Sequence, residues 1–249
     1  MPVVTTDAVI LQAFKYSDTS KILRLITRSS GLQSVIAKGA VRPKSPFGGV
    51  LEPFTEGIAT FYAKESRELH TLSAFELSRS RQRLGADLVR FGGASLIAEL
   101  VLKSGIEEPD ADLFDAVRAA LDRIQDADSA QVESVVLGES WTLIARLGFA
   151  PALDECIGCG RTIEATEDVI FDYAAGGVRC GNCAVGLPGK PLPAHARVAL
   201  MQLLEGERVI LDRSAAHWRL LARFLAHHVL DGSTLKSLAF LAETLQEPE

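Results

Sequence analysis

Lys21-Ile22-Leu23-Arg24-Leu25-Ile26-Thr27-Arg28-Ser29-Ser30-Gly31-Leu32-Gln33-Ser34-Val35-Ile36-Ala37-Lys38 contains two short runs of aliphatic and β-branched residues, joined by Arg28-Ser29-Ser30-Gly31. Side chains in such runs pack well on a pleated surface, and a short polar link ending in glycine returns the chain on itself, so the stretch predicts a β-hairpin. Similar runs lie on either side of it. Together they predict strands at 5–14, 20–27, 32–38, 54–62 and 69–76. Five short strands in about eighty residues, with no sustained helical period, are the pattern of a small closed barrel.

From Ser78 the apolar spacing changes to that of helices, with Leu84, Leu88, Phe91, Ser95 and Ala98 on one stripe. A second helix is expected from Asp110, with Leu113, Val117, Ala120, Leu121 and Ile124 inward, and a third from Ser129 to Leu147, stopped by Gly148. Gly186-Leu187-Pro188-Gly189-Lys190-Pro191-Leu192-Pro193 cannot be helical and reads as a linker. Helices then resume at 194–204, 214–230 and 235–245, with Asp231-Gly232 as a stop. The predicted class is α+β multidomain: a barrel at 1–78, a helical first half at 79–150, an insertion at 151–190 and a helical second half at 191–249.

The insertion contains all four cysteines, as the pairs Cys156/Cys159 and Cys180/Cys183. Two Cys-x-x-Cys pairs at this separation are the donor set of a tetrahedral zinc site. Two disulfides or a redox dithiol share the spacing, but a redox pair needs no second copy downstream. Four sulfurs would fill the coordination sphere, so one Zn2+ is expected in a structural role, folding a segment poor in large apolar residues.

The composition is 47% apolar with mean hydropathy +0.16, enough for sizeable cores. The first residues lack a basic region followed by an apolar run, and no stretch reaches the roughly 18 apolar residues of a membrane helix. A cytoplasmic protein with no membrane contact is therefore expected. The net charge of −6 is unevenly divided: residues 1–90 hold 13 Lys and Arg against 8 Asp and Glu, and residues 91–249 hold 13 against 24. A basic front suits a polyanion, and an acidic back suits a protein partner.

Between the third and fourth strands, Lys38, Arg42 and Lys44 stand among Gly39, Gly48 and Gly49, with Ser45 nearby. On charge alone this is a solvated loop; equally, its cations and open backbone admit a phosphate chain. The stretch from Ala37 to Phe54, the strand Leu23-Arg24-Leu25-Ile26-Thr27, the segment Leu147-Gly148-Phe149-Ala150-Pro151-Ala152-Leu153-Asp154-Glu155-Cys156 and the paired cysteines resemble the zinc-bearing members of the DNA repair protein RecO family. That resemblance implies an N-terminal five-stranded OB-fold β-barrel, an α-helical bundle and an inserted four-cysteine zinc knuckle. It also implies a non-enzymatic, nucleoid-associated recombination mediator that binds ssDNA and dsDNA and anneals complementary strands. With RecR, such a protein helps RecA load on ssDNA coated by single-strand-binding protein.

The expected DNA contacts are Lys15, Lys21, Arg24, Arg28, Lys38, Arg42 and Lys44, extended by a second strip of Arg79, Arg81, Arg83 and Arg90 whose plainer reading is a solvated helix start. Phe14, Tyr16, Phe47 and Tyr62 are candidate base stackers; for Phe14, Tyr16 and Tyr62 the plainer reading is a filler of the barrel interior, and only Phe47, set between Pro46 and Gly48, is assigned to stacking. Arg219, Arg223 and His227, spaced four apart on one helix face beside Trp218, Leu221 and Leu225, are the candidate seat for the acidic, apolar C-terminal tail of single-strand-binding protein. The plainer view is an amphipathic helix with solvated arginines. An RNA-binding accessory factor is the alternative, since a barrel with a zinc knuckle suits RNA too. No Ser-His-Asp order, P-loop or paired carboxylates support catalysis.

Overall fold

The computed structural model describes residues 2–63, 68–104, 108–186, 188–211, 214–229 and 235–245; Leu230 and the expected helix stop at Asp231-Gly232 lie outside them. Five strands, β1 (Val3–Lys15), β2 (Lys21–Thr27), β3 (Gly31–Ala37), β4 (Glu56–Tyr62) and β5 (Leu69–Arg79), close into a barrel in the order β1-β2-β3-β5-β4. β1 is long enough to pair with β2 along one stretch and with β4 along the other, which closes the ring. All pairings are antiparallel except β3 with β5, where Ser34, Val35 and Ile36 run parallel to Leu69, His70 and Thr71. This is the OB fold. Alternation along β2 and β3 sends Leu23, Leu25, Val35 and Ala37 into a core shared with Ala8, Ile10 and Phe61.

The chain divides into two compact units, Met1–Asp87 with Ile97–Gln125, and Leu88–Leu96 with Asp126–Glu249. In the first, the barrel is joined by α2 (Ala111–Asp126), whose apolar face is the expected one. A chain of charges ties α2 to the barrel. The Arg81 side chain is fully buried, donating to Glu56 at 2.6 Å, to Asp122 at 2.7 Å and to the Phe54 carbonyl at 3.0 Å. Arg118 donates to the other oxygen of Glu56 at 2.8 Å and to Asp115 at 3.3 Å, and Arg28 bonds Asp115. The Arg28 and Arg118 guanidinium groups both lie over the ring of Phe114.

In the second unit α3 (Val132–Arg146) is the centre, with Trp141 buried against Phe224 of α5 (Ser214–His228). The stripe of α1 (Leu88–Lys103) is broken by Gly92 and Gly93; a Cβ at Gly93 would come within 2.3 Å of Val136, so the glycine is what allows the close approach. α4 (Ala194–Leu204) and α6 (Lys236–Thr244) complete the unit. Leu147 and Gly148 end α3 as the sequence predicts, Gly148 at φ 92°.

Between α3 and α4 the chain forms a small antiparallel sheet, β6 (Val169–Asp172), β7 (Gly177–Arg179) and β8 (Lys190–Leu192), in the order β7-β6-β8. β8 corrects the expected linker. Proline cannot donate to a ladder, but β8 is an edge strand, and there Pro191 can stand opposite Ile170.

Candidate nucleic-acid interface and metal centre

Lys15 ends β1, Lys21 opens β2 directly opposite it, and Ala37, the partner of Lys21 in β3, is followed by Lys38. The three lysines therefore share one rim of the barrel. The loop 38–55 is held there by the Val41 N–H, which donates to the Thr19 carbonyl of the β1–β2 turn at 3.1 Å, and by Lys21, which bonds the Leu51 carbonyl at 3.1 Å. Successive turns fold the loop back: Arg42 N–H to Gly39, Ser45 N–H to Arg42, Gly48 N–H to Ser45 and Val50 N–H to Phe47. Lys38, Arg42 and Lys44 are exposed.

The expected cations fall into two groups. Arg24, Lys38, Arg42 and Lys44 carry no ion pair among the described residues. Lys15 stands 3.5 Å from Asp18, both exposed, an arrangement worth little in water. Lys21 is bonded to Glu52 at 2.8 Å. Arg28 is held by Asp115 and by Asp7 at 3.8 Å, and Arg79 by Asp122 at 2.8 Å, while Arg83 is exposed. Arg81 and Arg90 are corrections: the charge of Arg81 is spent inside the protein on Glu56 and Asp122, and Arg90 is buried, donating to the Ala127 carbonyl at 2.5 Å.

The aromatic assignments are reversed. Phe47 is 5% exposed and belongs to the barrel core with Leu51, because Gly48 and Gly49, at φ 54° and 79°, bend the loop so that its ring plugs the barrel end. Phe14 and Tyr16 are 44% and 61% exposed beside the lysine rim. A register shift between Ile10 and Gln12 moves β1 by one residue against β2, turning Ala13 inward and Phe14 outward. Tyr62 is also exposed, opposite Val3.

The cysteines converge. The sulfurs of Cys156, Cys159, Cys180 and Cys183 all lie within 4.8 Å of one another. The first pair sits on a turn closed by the Gly160 N–H to the Cys156 carbonyl at 2.8 Å, and the second on one closed by the Ala184 N–H to the Cys180 carbonyl at 3.0 Å. Gly158 is closely packed, since a Cβ there would lie 3.0 Å from Cβ of Cys183 and 3.2 Å from its sulfur, a tight fit that would press on the cluster. Burial opposes charge on Cys156, but the N–H groups of Cys180, Gly158 and Cys159 overcome it and bring the thiol down to about 6. The neighbouring thiols of Cys159 and Cys180 push Cys183 up to about 12, as crowded sulfurs must share protons. Four convergent sulfurs, with N–H groups stabilising thiolate, fit a metal ion by the chemistry of the donor set.

Two supporting residues escaped sequence reading. Arg197 of α4 is buried and donates to the carbonyls of Leu153, at 2.9 Å, and Glu164, at 2.5 Å, stapling the cysteine segment to α4; its place in a helical run resembles a solvated position. Asp168 accepts the Ala194 N–H at 2.8 Å and so caps α4 from outside the helix.

On α5, Arg219, Arg223 and His227 are exposed on one face, whereas Trp218, Leu221 and Leu225 are buried, Trp218 donating to Glu133 at 2.8 Å. The apolar surface beside the arginines comes instead from Pro191, Leu192 and Leu220, in a cavity of about 360 Å³ also lined by Lys190, Arg219 and Arg223. No carboxylate among the described residues lines it. Arg223 lies over the ring of Tyr173, on which His227 stacks from 6.2 Å.

A closed OB barrel with a cationic rim, followed by helices that carry a four-thiol cluster, defines an OB-fold protein with an insertion whose thiols could hold a metal ion. Residues 1–81 match the recombination protein O N-terminal family and residues 85–239 the recombination protein O C-terminal family. The DNA repair protein RecO of Desulfatibacillum aliphaticivorans is 32% identical over 98% of both chains. That of Anaeromyxobacter dehalogenans strain 2CP-C is 32% identical over 96% of both, and that of a Nocardioides species is 30% identical over 94% of this chain and 97% of its own. The chain belongs to the recombination protein O family.

Proposed function

We propose that this protein acts in DNA repair and recombination by holding single and double strands loosely on the barrel rim so that complementary strands can anneal. The supporting observation is the set of cations Arg24, Lys38, Arg42 and Lys44, without ion pairs among the described residues, on a barrel that also exposes Phe14 and Tyr16. Diffuse phosphate contacts lower strand repulsion and release counterions while base edges stay free to pair. The exposed rings offer stacking surfaces that accept any base. Membership of a DNA-repair family favours this reading over RNA.

In this reading the protein works with RecR to let RecA replace single-strand-binding protein. The acidic, apolar tail of single-strand-binding protein would enter the cationic cavity at Lys190, Arg219 and Arg223, with His227 at its edge. Cys156, Cys159, Cys180 and Cys183 would hold one zinc ion, which supplies folding energy to the insertion and, with four thiolates, leaves no position for substrate.

Annealing of complementary strands, one coated by single-strand-binding protein, tests the rim. A Lys38/Arg42/Lys44 triple alanine variant should lose annealing, keep its melting temperature, and reduce the slope of log affinity against log salt by about 3. A wild type that does not anneal, or a variant that anneals normally, removes the proposal. Arg223→Glu should abolish binding of the tail peptide by calorimetry; unchanged binding removes α5 from the reading.

A further inference from the structure

A recess of about 320 Å³ opens on the barrel wall, lined by Arg24 of β2, Leu32 and Ser34 of β3, Glu68 and His70 at the start of β5, and Leu102. In OB folds the face of strands 2 and 3, with the loop joining strands 4 and 5, is where oligonucleotides lie. Arg24 stands opposite Ser34 in the β2–β3 register, both alternate with the core residues Leu23, Leu25 and Val35 and so face outward, and Glu68 ends the β4–β5 connection, so the recess borders that face. Arg24 is three residues along β2 from Lys21 of the rim, ~10 Å at the rise of a strand.

Arg24 and Glu68 carry opposite charges and share this small space, yet neither forms an ion pair among the described residues. The recess therefore keeps both a forked donor and a carboxylate acceptor for an occupant. Burial lowers the pKa of His70, whose ring stacks on Phe61 at 5.7 Å. Leu32 and Leu102 supply apolar wall. A bare phosphate is poorly matched, because Glu68 repels it.

The geometry points to a pocket for one unstacked base of a single strand, with guanine preferred. Guanine offers O6 and N7 to an arginine fork. Its N1–H and 2-amino group are donors that a carboxylate accepts, the way extruded bases are read along their pairing edge. Adenine would put an amino group against the arginine donors and no N1–H against Glu68, while cytosine and thymine offer the carboxylate a single donor, the N4 amino group or N3–H, in place of guanine's adjacent pair. This inference rests on the reading that the barrel binds single strands, and adds a base preference to an otherwise sequence-tolerant surface.

The test is fluorescence anisotropy of the full chain with an all-thymine strand and the same strand carrying one central guanine, alongside NMR titration with dGMP and dAMP. The guanine strand should bind about tenfold more tightly. Glu68→Gln should erase that difference while leaving thymine-strand affinity within about twofold, because a base contact sets preference and a phosphate contact sets overall strength. Arg24→Ala should erase it too, and dGMP but not dAMP should shift the amides of 32–35 and 68–71. Equal affinity for the two strands, or a preference that survives Glu68→Gln, overturns the pocket and leaves the rim proposal standing. If neither strand binds, the rim proposal falls and the dGMP titration decides the pocket alone: no saturable shift at those amides overturns it.

Discussion

Phe47 and Phe14 differ in neighbourhood rather than in chemistry, and their places are the reverse of what local context suggests. Phe47 stands among glycine, proline and charge, which reads as exposed, but left-handed Gly48 and Gly49 return it to the barrel interior. Phe14 follows an alternating apolar strand, which reads as core, but one register shift turns it outward. Phe47→Ala should therefore destabilise the barrel by about 3–5 kcal/mol in denaturant unfolding with no effect on binding beyond unfolding. A Phe14/Tyr16 double alanine variant should unfold normally and lose about 1–3 kcal/mol of single-strand affinity per stacked base. The cations obey the same rule. Lys38, Arg42 and Lys44 were legible because their surroundings are local, whereas the fate of Arg81 depends on Asp122, 41 residues away on α2, which no window around Arg81 contains.

The cysteine insertion was the most legible element, since ligand type and spacing carry the whole argument and the fold brings the four sulfurs together. Its sheet was not legible: β6, β7 and β8 are three or four residues long, below the length at which alternation can be counted. The sheet packs Phe171 against Tyr173 and Phe224 and buries Val169, Val178 and Leu192. Chelation should raise amide hydrogen exchange across 152–192 by orders of magnitude while barrel amides keep their protection, with zinc restoring the pattern. Uniform loss of protection in both regions would show that the cluster stabilises more than its own element.

At the scale of the molecule, five strands followed by helices interrupted once by cysteines could be read in order, because each change of apolar period marks a change of element. The compact units could not, since the grouping runs against sequence order, with Ile97–Gln125 joined to the barrel and Leu88–Leu96 to the remaining helices. Glu56 depends on that grouping. Each of its carboxylate oxygens is claimed by a different arginine, one from beyond the last strand and one from α2. A fragment truncated after residue 78 would leave that carboxylate stranded in the interior with neither counter-charge, at a cost of about 3–5 kcal/mol, a large part of what a small domain possesses. Such a fragment should aggregate on expression, whereas one extended to Gln125 should remain soluble and melt cooperatively by circular dichroism. The piece of this chain that keeps the barrel's charges paired is thus longer than the barrel itself, and a graft or fusion should carry α2 along with it.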